Sequence, residues 1–495
     1  MKPLGTITVF FPYVDGETRR ILNSLMVEAN DFNDFSEALF ERVVSEDTPV
    51  LTQYLNFYFL LFQFRGELLR ELVSRDKVPL MAKPIELVSK SDQSEMVSWE
   101  EMKQILGLAL EEAPNEWFVC HVYLSWRLFL GYFSIYPSSN IDMHPYESVI
   151  SNIQANKEFE YFKLQLFLIE SFGHREEFQF SKAIEANKQA LEIARKYDDQ
   201  LSAAIILSLL GQLAKHTDLK AGIDFALEGN EIQKQLGNKG GLALAQHFLG
   251  HIMGIRGEFD AAIEHQLEYR TLCDFLSIPT AMIDGVIAMY CNMAGKGQDA
   301  LNIVKDISEE PEIYEWNSQV QKAWALSLLG QNEEARVEYD KFRKFALKSG
   351  DIDLILRMDI MEGILDQSEG DLKSAEKAFE KLLKSFKDNP VPVFENLCLL
   401  HLVDMEIEQL DDDTLSVKHE SSGRWMDDLD THLSKHDFPG ILAQAKILKA
   451  KLRQKQTRTR EVQDLIRGVL EVSESPSMKY LRNLVAKTFP KLVET

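Results

Sequence analysis

Leu242–Leu276, LALAQHFLGHIMGIRGEFDAAIEHQLEYRTLCDFL, predicts two helices joined by a tight turn at Arg256-Gly257-Glu258. Apolar and histidine side chains recur at spacings of three and four before the turn, which is the periodicity of an α-helix. Gly250 on the first helix and Ala262 on the second are small, so the two helix backbones can approach each other closely. The segment is therefore predicted to form an α-helical hairpin.

The same pattern recurs along the chain, with a small residue at the corresponding place in each copy. These residues are Ala183, Gly222, Ala262, Ala300, Ala335 and Ala375, at intervals of 39, 40, 38, 35 and 40 residues. A hairpin of this size cannot bury its own apolar face, so copies at a near-constant spacing stack on one another. The six copies indicate a helical solenoid.

The pattern of Leu249-Gly250 before the turn and of small and large residues after it resembles the tetratricopeptide repeat. The usual period of that family is about 34 residues, so the chain resembles its longer variant, near forty residues. The resemblance covers Glu158–Asn389, about half the chain, and it implies a right-handed superhelix. Ala375, Phe379 and Leu382 follow the family pattern, with Leu382 larger than usual. Ala335, Tyr339 and Phe342 match its first two positions and depart at the third, and Ala262, Gln266 and Tyr269 match only the first.

We expect an all-α fold in three parts. Residues 1–150 are predicted to form an N-terminal helical bundle with one short strand at Thr6–Phe11, residues 156–390 about six tetratricopeptide-like repeats, and residues 391–495 degenerate repeats that end in a helical cap. Terminal units of a solenoid need a polar outer face, which is the reason for the cap. The helices predicted in the two outer parts are Glu17–Asn30, Asn33–Ser45, Pro49–Val73, Val393–Gln409, Trp425–His436, Ile441–Lys455, Glu461–Val472 and Met478–Lys487.

The composition is that of a soluble, acidic globular protein. Of 495 residues, 45% are hydrophobic and 27% charged, and the formal net charge is −24. This charge argues against nucleic acid or an anionic membrane as the main partner. The four widely separated cysteines are expected to be buried, reduced thiols, and the N-terminus lacks the long apolar core of a signal peptide. We therefore expect a cytoplasmic protein.

Two apolar stretches are long enough to raise the question of membrane insertion. Leu51–Phe64 has about fourteen residues before Arg65, which is short of the ~20 that a bilayer needs. Trp117–Tyr136 carries Arg127, which is costly near the middle of a membrane. Both are predicted to be buried helices of the N-terminal bundle.

No arrangement of residues supports catalysis, a cofactor or a metal ion. The chain has no phosphate-binding, nucleophile-elbow or zinc-protease motif. Gly295-Lys296-Gly297 and Gly237–Gly241 resemble pieces of phosphate loops, but they fall at turns between predicted helices, where glycine ends a helix. Asp411-Asp412-Asp413 is interpreted as a solvated charge run rather than a cation site.

The first helices of the repeats would line the inner groove, where the resembling family receives peptides or partner helices. His247 and His251 lie four apart on one helix and point the same way, but no further metal ligand accompanies them. The groove is rich in methionine, aromatic residues and histidine, unlike a groove that reads acidic C-termini, although some of its methionines fit a core position equally well. The residues assigned to the groove are Gln165, Leu168, Phe172, His247, His251, Met282, Met289, Met293, Val320, Trp324, Arg357, Ile360 and Ile364.

A basic segment near the C-terminus contrasts with this acidic chain. It can dock an acidic partner or acidic residues of the same protein, including those of a second copy in a homodimer; an ordinary solvated helix face is the alternative. Its basic residues are Lys446, Lys449, Lys451, Arg453, Lys455, Arg458 and Arg460.

Together these features predict a non-catalytic scaffold or adaptor that binds a peptide segment or helix of a partner protein in the groove of a tetratricopeptide superhelix. The alternative is a peptide-sensing regulatory protein whose N-terminal bundle binds an effector. An enzyme housed in the N-terminal bundle is the third and least supported class.

Overall fold

The structure of this protein, a computed structural model, describes residues 16–45, 104, 107–108, 151, 153–177, 179–214, 218–275, 281–305, 316–349, 352–386, 392–410, 424–434 and 437–493. These residues form α-helices and two short 3-10 helices, and they contain no β-strand. The all-α prediction is therefore confirmed for the described part of the chain. The predicted strand at Thr6–Phe11 and the predicted helix at Pro49–Val73 lie outside it.

The helices follow one another in pairs, most of which are joined by short turns. The first hairpin is α1 (Gly16–Glu28) and α2 (Phe32–Ser45). The pairs that follow are α3 (Lys163–Glu176) with α4 (Phe180–Lys196), α5 (Gln200–Ala214) with α6 (Leu219–Leu236), α7 (Lys239–Arg256) with α8 (Phe259–Phe275), α9 (Ala281–Met293) with α10 (Gly297–Ile303), α11 (Trp316–Leu328) with α12 (Asn332–Ser349), α13 (Ile352–Glu369) with α14 (Leu372–Phe386), α15 (Pro392–Glu408) with α16 (Arg424–Leu433), and α17 (Pro439–Lys455) with α18 (Thr459–Val472). The chain then forms α19 (Tyr480–Thr488) and α20 (Pro490–Val493).

The predicted register of the repeats is confirmed by burial. The five alanines of the repeat position are 0% exposed, and Gly222 is buried as well; the alanines are Ala183, Ala262, Ala300, Ala335 and Ala375. A residue without a large side chain is needed here because the second helix of each pair crosses its neighbours closely at this point. The solenoid therefore has the spacing that the sequence indicates.

The four consecutive pairs from α7–α8 to α13–α14 each turn through a glycine in a left-handed conformation. Gly257, Gly295, Gly330 and Gly370 have φ angles of 77°, 71°, 76° and 87°. Only glycine adopts this conformation without a steric cost, and it ends the first helix of the pair. Each of these glycines precedes the buried alanine of its repeat by the same number of residues, so turn and crossing point recur together.

The helices predicted at both ends are also present. The two predicted near the N-terminus correspond to α1 and α2, and those after residue 391 correspond to α15 to α19, with bounds that differ by a few residues. None of the described helices is both long and apolar enough to cross a bilayer. The apolar stretches Leu51–Phe64 and Trp117–Tyr136 lie outside the described residues.

The chain divides into two compact units. Residues 1–248 and 271–278 make up the first unit, and residues 249–270 and 279–495 make up the second. This division falls within α7 and α8. The boundaries predicted near residues 150 and 390 follow a different criterion, the change of sequence pattern, and stay a prediction.

Candidate functional site

The second unit contains a cavity of about 680 Å³. This volume lies within the range of about 300–1,000 Å³ that is typical of ligand sites. Its walls are the end of α9 with the turn that follows, one face each of α11, α15 and α17, and one face of α19. Its main apolar side chains are Met293, Trp324, Leu328, Leu400, Leu448 and Leu484.

Helical periodicity explains why these elements present one face to the cavity. On α15, α17 and α19 the lining residues are spaced by one, three or four, so they project from one side of the helix. These residues are Leu397, Leu400, His401 and Asp404 on α15, Gln444, Ile447, Leu448 and Lys451 on α17, and Asn483, Leu484, Lys487 and Thr488 on α19. The cavity is thus built mainly from the first helices of the pairs that begin with α9, α11, α15 and α17 and from α19.

The C-terminal helices close the second unit on itself by contacting the turn between α7 and α8. The Tyr480 hydroxyl donates to the Gly257 carbonyl at 2.8 Å, and the Tyr480 backbone N–H donates to the Asp260 carboxylate at 2.7 Å. Tyr480 is 0% exposed, and Gln444 Nε2 donates to its hydroxyl at 2.9 Å. These bonds join residues more than two hundred positions apart, so the pairs of this unit form a closed ring.

Two further contacts belong to the same closure. Gly440, at the start of α17, lies so close to Gly257 that a Cβ atom on Gly440 would overlap the Gly257 carbonyl. The Asn396 side-chain amide on α15 donates to the Ile255 carbonyl at 3.4 Å. The C-terminal helices and α15 therefore both meet the end of α7 and the turn that follows it.

Two of the cavity's lysines are neutralised by carboxylates. Lys296 Nζ lies 2.6 Å from Asp260 Oδ1, and Lys451 Nζ lies 2.6 Å from Asp404 Oδ1 and 3.3 Å from Glu408 Oε1. Burial is the largest single influence on the pKa of Lys451 and lowers it. The charges of Asp404 and Glu408 and their hydrogen bonds together outweigh burial, so the pKa is raised. No ion pair involves Lys487 within the described residues, and its side chain is exposed at the cavity rim.

His401 contributes a neutral ring to the cavity wall. Its Nδ1 lies 2.6 Å from Gln367 Oε1, and its ring stacks on Phe379 with centroids 5.2 Å apart. Burial lowers the pKa of His401 to about 4, while the charge of Asp404 opposes this shift. At neutral pH the ring is therefore an uncharged polar surface.

Asn292 is a residue of the cavity wall whose side-chain oxygen is buried. Its side chain is buried at 2% exposure, and its Nδ2 donates to the Gln321 carbonyl at 2.9 Å. Its Oδ1 has no hydrogen-bond partner within the described residues. A buried acceptor left unpaired costs about 1–3 kcal/mol, so this oxygen lowers the stability of the wall.

The structure brings two of the predicted groove residues to this cavity, Met293 and Trp324. Gln165, Leu168, Phe172 and His247 belong to the first unit, and the others belong to the second. Most of the others are buried in the packing, with exposures of 7% or less: Gln165, Leu168, Phe172, Met289, Val320, Ile360 and Ile364. These seven residues therefore occupy core positions. A core position was the stated alternative for the methionines, and Met289 follows it. Met282 lies on α9, and its side chain is not described.

Two predicted groove residues are held by polar contacts. Arg357 Nη1 donates to Asn317 Oδ1 at 3.0 Å, and the guanidinium lies over the Phe394 ring at 5.5 Å. His251 Nδ1 lies 2.9 Å from the hydroxyl of Tyr290, which is buried.

Within the described residues no group of three or more His, Cys, Asp or Glu side chains is arranged to hold a metal ion. The Asp411–Asp413 run lies outside the described residues.

The basic segment pairs largely with acidic residues of its own chain. Lys449 lies 2.7 Å from Asp430, and Arg453 and Arg458 lie 3.1 and 3.2 Å from Glu461. Lys455 donates to the Ile407 carbonyl at 2.6 Å, and Lys451 pairs with Asp404 as described above. Lys446 and Arg460 take part in no ion pair within the described residues. Most of this positive charge therefore serves contacts inside the second unit.

Sequence reasoning missed most of the cavity because it stopped the groove at residue 364. The missed residues include His401, Leu448, Leu484 and Lys487, which lie on the helices assigned to the cap. The available signal was the spacing of three and four on α15 and α17, which continues the first-helix register of the repeats. Extending that register past Pro390 would identify the cavity residues on α15 and α17. It would not identify those on α19, because α19 does not belong to a helix pair of the repeat pattern.

No protein-family model matches the chain, and no curated protein is similar to it. Among solved structures, it is similar to the crystal structure of a signal transduction ATPase with numerous domains, a protein from Pyrococcus horikoshii with a tetratricopeptide repeat sensor. The sequence identity is 16%, the TM-score is 0.37, and the alignment covers 77% of this chain and 55% of that one. The chain thus spans about half the length of that protein. The helices themselves show an all-α solenoid of consecutive pairs.

Proposed function

We propose that this chain is a non-catalytic interaction protein that binds a peptide segment of a partner protein in the cavity of its second unit. The observation that carries the proposal is the cavity itself, in which apolar faces of four helices converge with a few polar groups. Ligand sites are typically mostly apolar with a small number of placed polar groups. Leu448 and Leu484, which are partly exposed at the cavity, would act as anchors, because a few large side chains dominate binding in such sites.

The proposal places the protein in a reducing compartment, the cytoplasm. Cys273, Cys291 and Cys398 are buried free thiols. Burial raises the pKa of Cys291 to about 12, and burial also raises the pKa of Cys398. Thiols of this kind are inert, which supports a structural role for them.

The test is a selection from random twelve-residue peptides displayed on phage, with the immobilised full-length protein as bait. Selected peptides are then synthesised, and their affinities are measured by fluorescence anisotropy. Leu484→Ala and Leu448→Glu are each expected to weaken binding by about 30-fold or more, which corresponds to about 2 kcal/mol. The first removes an anchor, and the second puts a charge into the apolar wall.

Leu442→Glu is the matched control for Leu448→Glu. Leu442 lies on the same helix but is 44% exposed and does not line the cavity. The Leu442→Glu protein is expected to bind the selected peptides as tightly as the wild type does. Equal binding by the Leu448→Glu and Leu442→Glu proteins, with both folded, would contradict the proposal. Met289→Glu is unsuitable as a test of binding because Met289 is 4% exposed and belongs to the packing.

A second candidate, a peptide sensor, is favoured by the position of α19. This helix supplies Leu484 and Lys487 to the cavity, and its first residue, Tyr480, makes the bonds that close the ring. A ligand that pushes on the wall therefore acts on the closure as well. Compaction or expansion on adding a selected peptide, measured by small-angle scattering, would favour a sensor over a static scaffold.

A further inference from the structure

We propose that Tyr480 couples the cavity to the closure of the ring, so that a bound peptide tightens the ring and an opened ring releases the peptide. This inference rests on the proposed function and concerns the regulation of the same site. The junction comprises the hydrogen bonds of Tyr480 with Gly257, Asp260 and Gln444. It joins the α7–α8 pair to α17 and α19, which are the first pair and two of the last helices of the second unit.

The hydroxyl of Tyr480 connects a residue of the cavity wall to the ring closure. Gln444 Nε2 on α17 donates to this hydroxyl at 2.9 Å, and the hydroxyl donates to the Gly257 carbonyl at 2.8 Å. Gln444 lines the cavity and is partly exposed, whereas Tyr480 is 0% exposed and does not line it. Hydrogen bonds in series polarise one another, so a ligand that orders Gln444 strengthens the bond that closes the ring.

The backbone of Tyr480 provides a second connection to the cavity, through Asp260. One oxygen of the Asp260 carboxylate accepts the Tyr480 N–H at 2.7 Å, and the other lies 2.6 Å from the Lys296 ammonium. Lys296 lines the cavity and its side chain is 26% exposed, whereas the Asp260 side chain is 11% exposed. The ion pair can therefore be reached from the cavity through Lys296. A ligand beside Lys296 acts on the same tyrosine as a ligand beside Gln444.

The sign of the coupling follows from the helices that form the cavity walls. The turn after α9 and one face of α11 form part of the wall, and α17 and α19 form another part. The junction and the contact between Gly440 and Gly257 hold α17 and α19 against the α7–α8 turn. Opening the ring here would move α17 and α19 away from the other walls, so a peptide contacts all the walls only when the ring is closed. A ligand that makes more contacts in one of two states stabilises that state.

The first experiment measures hydrogen–deuterium exchange of the full-length wild type by mass spectrometry, with and without a saturating phage-selected peptide. Gly257, Asp260 and Tyr480 do not line the cavity, so a peptide that only fills the cavity leaves exchange near them unchanged. We expect exchange in the segments 255–260 and 478–482 to slow by at least about 5-fold, because the bound peptide makes opening of the ring rarer.

The second experiment uses the reciprocity of coupling, by which a weaker junction lowers the affinity for the peptide. Tyr480→Phe removes only the hydroxyl and is expected to weaken binding of the same peptide by at least about 5-fold, measured by fluorescence anisotropy. Tyr339→Phe is the matched control. Tyr339 is 1% exposed, its hydroxyl has no hydrogen-bond partner within the described residues, and it does not line the cavity. The Tyr339→Phe protein is expected to bind the peptide as tightly as the wild type does.

The outcomes separate this inference from the proposed function. If the peptide binds at the cavity but neither slows exchange at the junction nor binds Tyr480→Phe more weakly, the coupling is wrong and the proposed function stands. If Tyr480→Phe and Tyr339→Phe weaken binding alike, the effect arises from a general loss of stability and the assignment to the junction is wrong. If no selected peptide binds the wild type, both the inference and the proposed function are overturned. The exchange experiment needs no substitution, so it tests the coupling even if Tyr480→Phe does not fold.

Discussion

The helix α5 in the first unit and the helix α17 in the second occupy equivalent places in the repeat but meet different surroundings. Thirteen of the fifteen residues of α5 are buried, so both its faces are covered. On α17 one face packs into the ring while Gln444, Leu448 and Lys451 border a cavity. The comparison shows that the repeat specifies how a pair packs on its neighbours and leaves open whether the inner face is filled or hollow.

The side chains themselves account for the difference. The sequence of α5, QLSAAIILSLLGQLA, is apolar on all sides, which is typical of a helix that is buried all round. Its packing is tight as well, because a Cβ atom on Gly229 of α6 would lie 2.9 Å from the Ala204 carbonyl. The sequence of α17, PGILAQAKILKAKLRQK, places polar groups among the leucines of its inner face. Such a face is stable next to water or a polar ligand.

The largest expected effect comes from opening the ring of the second unit. Gly440→Ala would place a Cβ atom against the Gly257 carbonyl, and backbone on both sides of the contact would have to move. We expect the free energy of unfolding to fall by about 3 kcal/mol, at the upper end of the cost of overpacking. Urea denaturation followed by circular dichroism measures this change, and peptide binding to the cavity should be lost with it.

Gly468→Ala is the matched control for this prediction. Gly468 lies inside α18, where the added methyl group would meet only the Lys446 ammonium, at 4.0 Å. Replacing a glycine inside a helix by alanine stabilises it by roughly 0.5–1 kcal/mol. A Gly440→Ala protein as stable as the wild type would show that the ring is not closed at this contact.

A smaller effect, similar in the two units, is expected at the repeat position. Ala183→Leu in the first unit and Ala375→Leu in the second each put a large side chain at a helix crossing that is 0% exposed. We expect each to lower the free energy of unfolding by about 2 kcal/mol through overpacking. Thermal melting and urea denaturation provide the measurement.

Lys377→Leu serves as the control for Ala375→Leu. It adds a leucine to the same helix at an exposed position, where substitutions usually change stability by no more than about 0.5 kcal/mol. Destabilisation at only one of the two alanines would mean that the units do not share one packing register, and the comparison between α5 and α17 would lose its basis.

The smallest of the three effects is a change of stability with pH that arises from His401 in the cavity wall of the second unit. The folded-state pKa of His401, about 4, lies below the ~6.5 of an unfolded histidine, so the unfolded chain binds the proton first as pH falls. The contribution to stability is therefore complete above pH ~6.5 and declines toward pH ~4. At pH ~5 the loss is about 1–2 kcal/mol.

Comparing the wild type with His401→Gln between pH 5 and pH 7 isolates this contribution. The variant is less stable overall because it loses the contact with Phe379, but its stability should change less with pH. An identical slope for the two proteins would show that His401 is accessible to protons in the folded state.

The small alanines, the glycine turns and the spacing of about forty residues predicted the pairs correctly because these are local requirements of one hairpin and its immediate neighbour. For the same reason the helices after residue 391 were predicted well. The candidate site was predicted only at Met293 and Trp324. The other residues of the cavity were not predicted, because helical periodicity does not show whether the inner face of a first helix is packed or borders a cavity. Met289 and Ile364, which were assigned to the groove, are buried in the packing.

The sequence by itself thus determined the helix pairs, their register and the acidic, cysteine-poor character of the chain. Only the tertiary structure decided that the second unit closes on itself and that a cavity lies inside it. The bond between Tyr480 and Gly257 joins residues 223 positions apart. Whether two such residues meet depends on the small rotation between successive pairs, added over the whole unit, and no local pattern of residues records that sum.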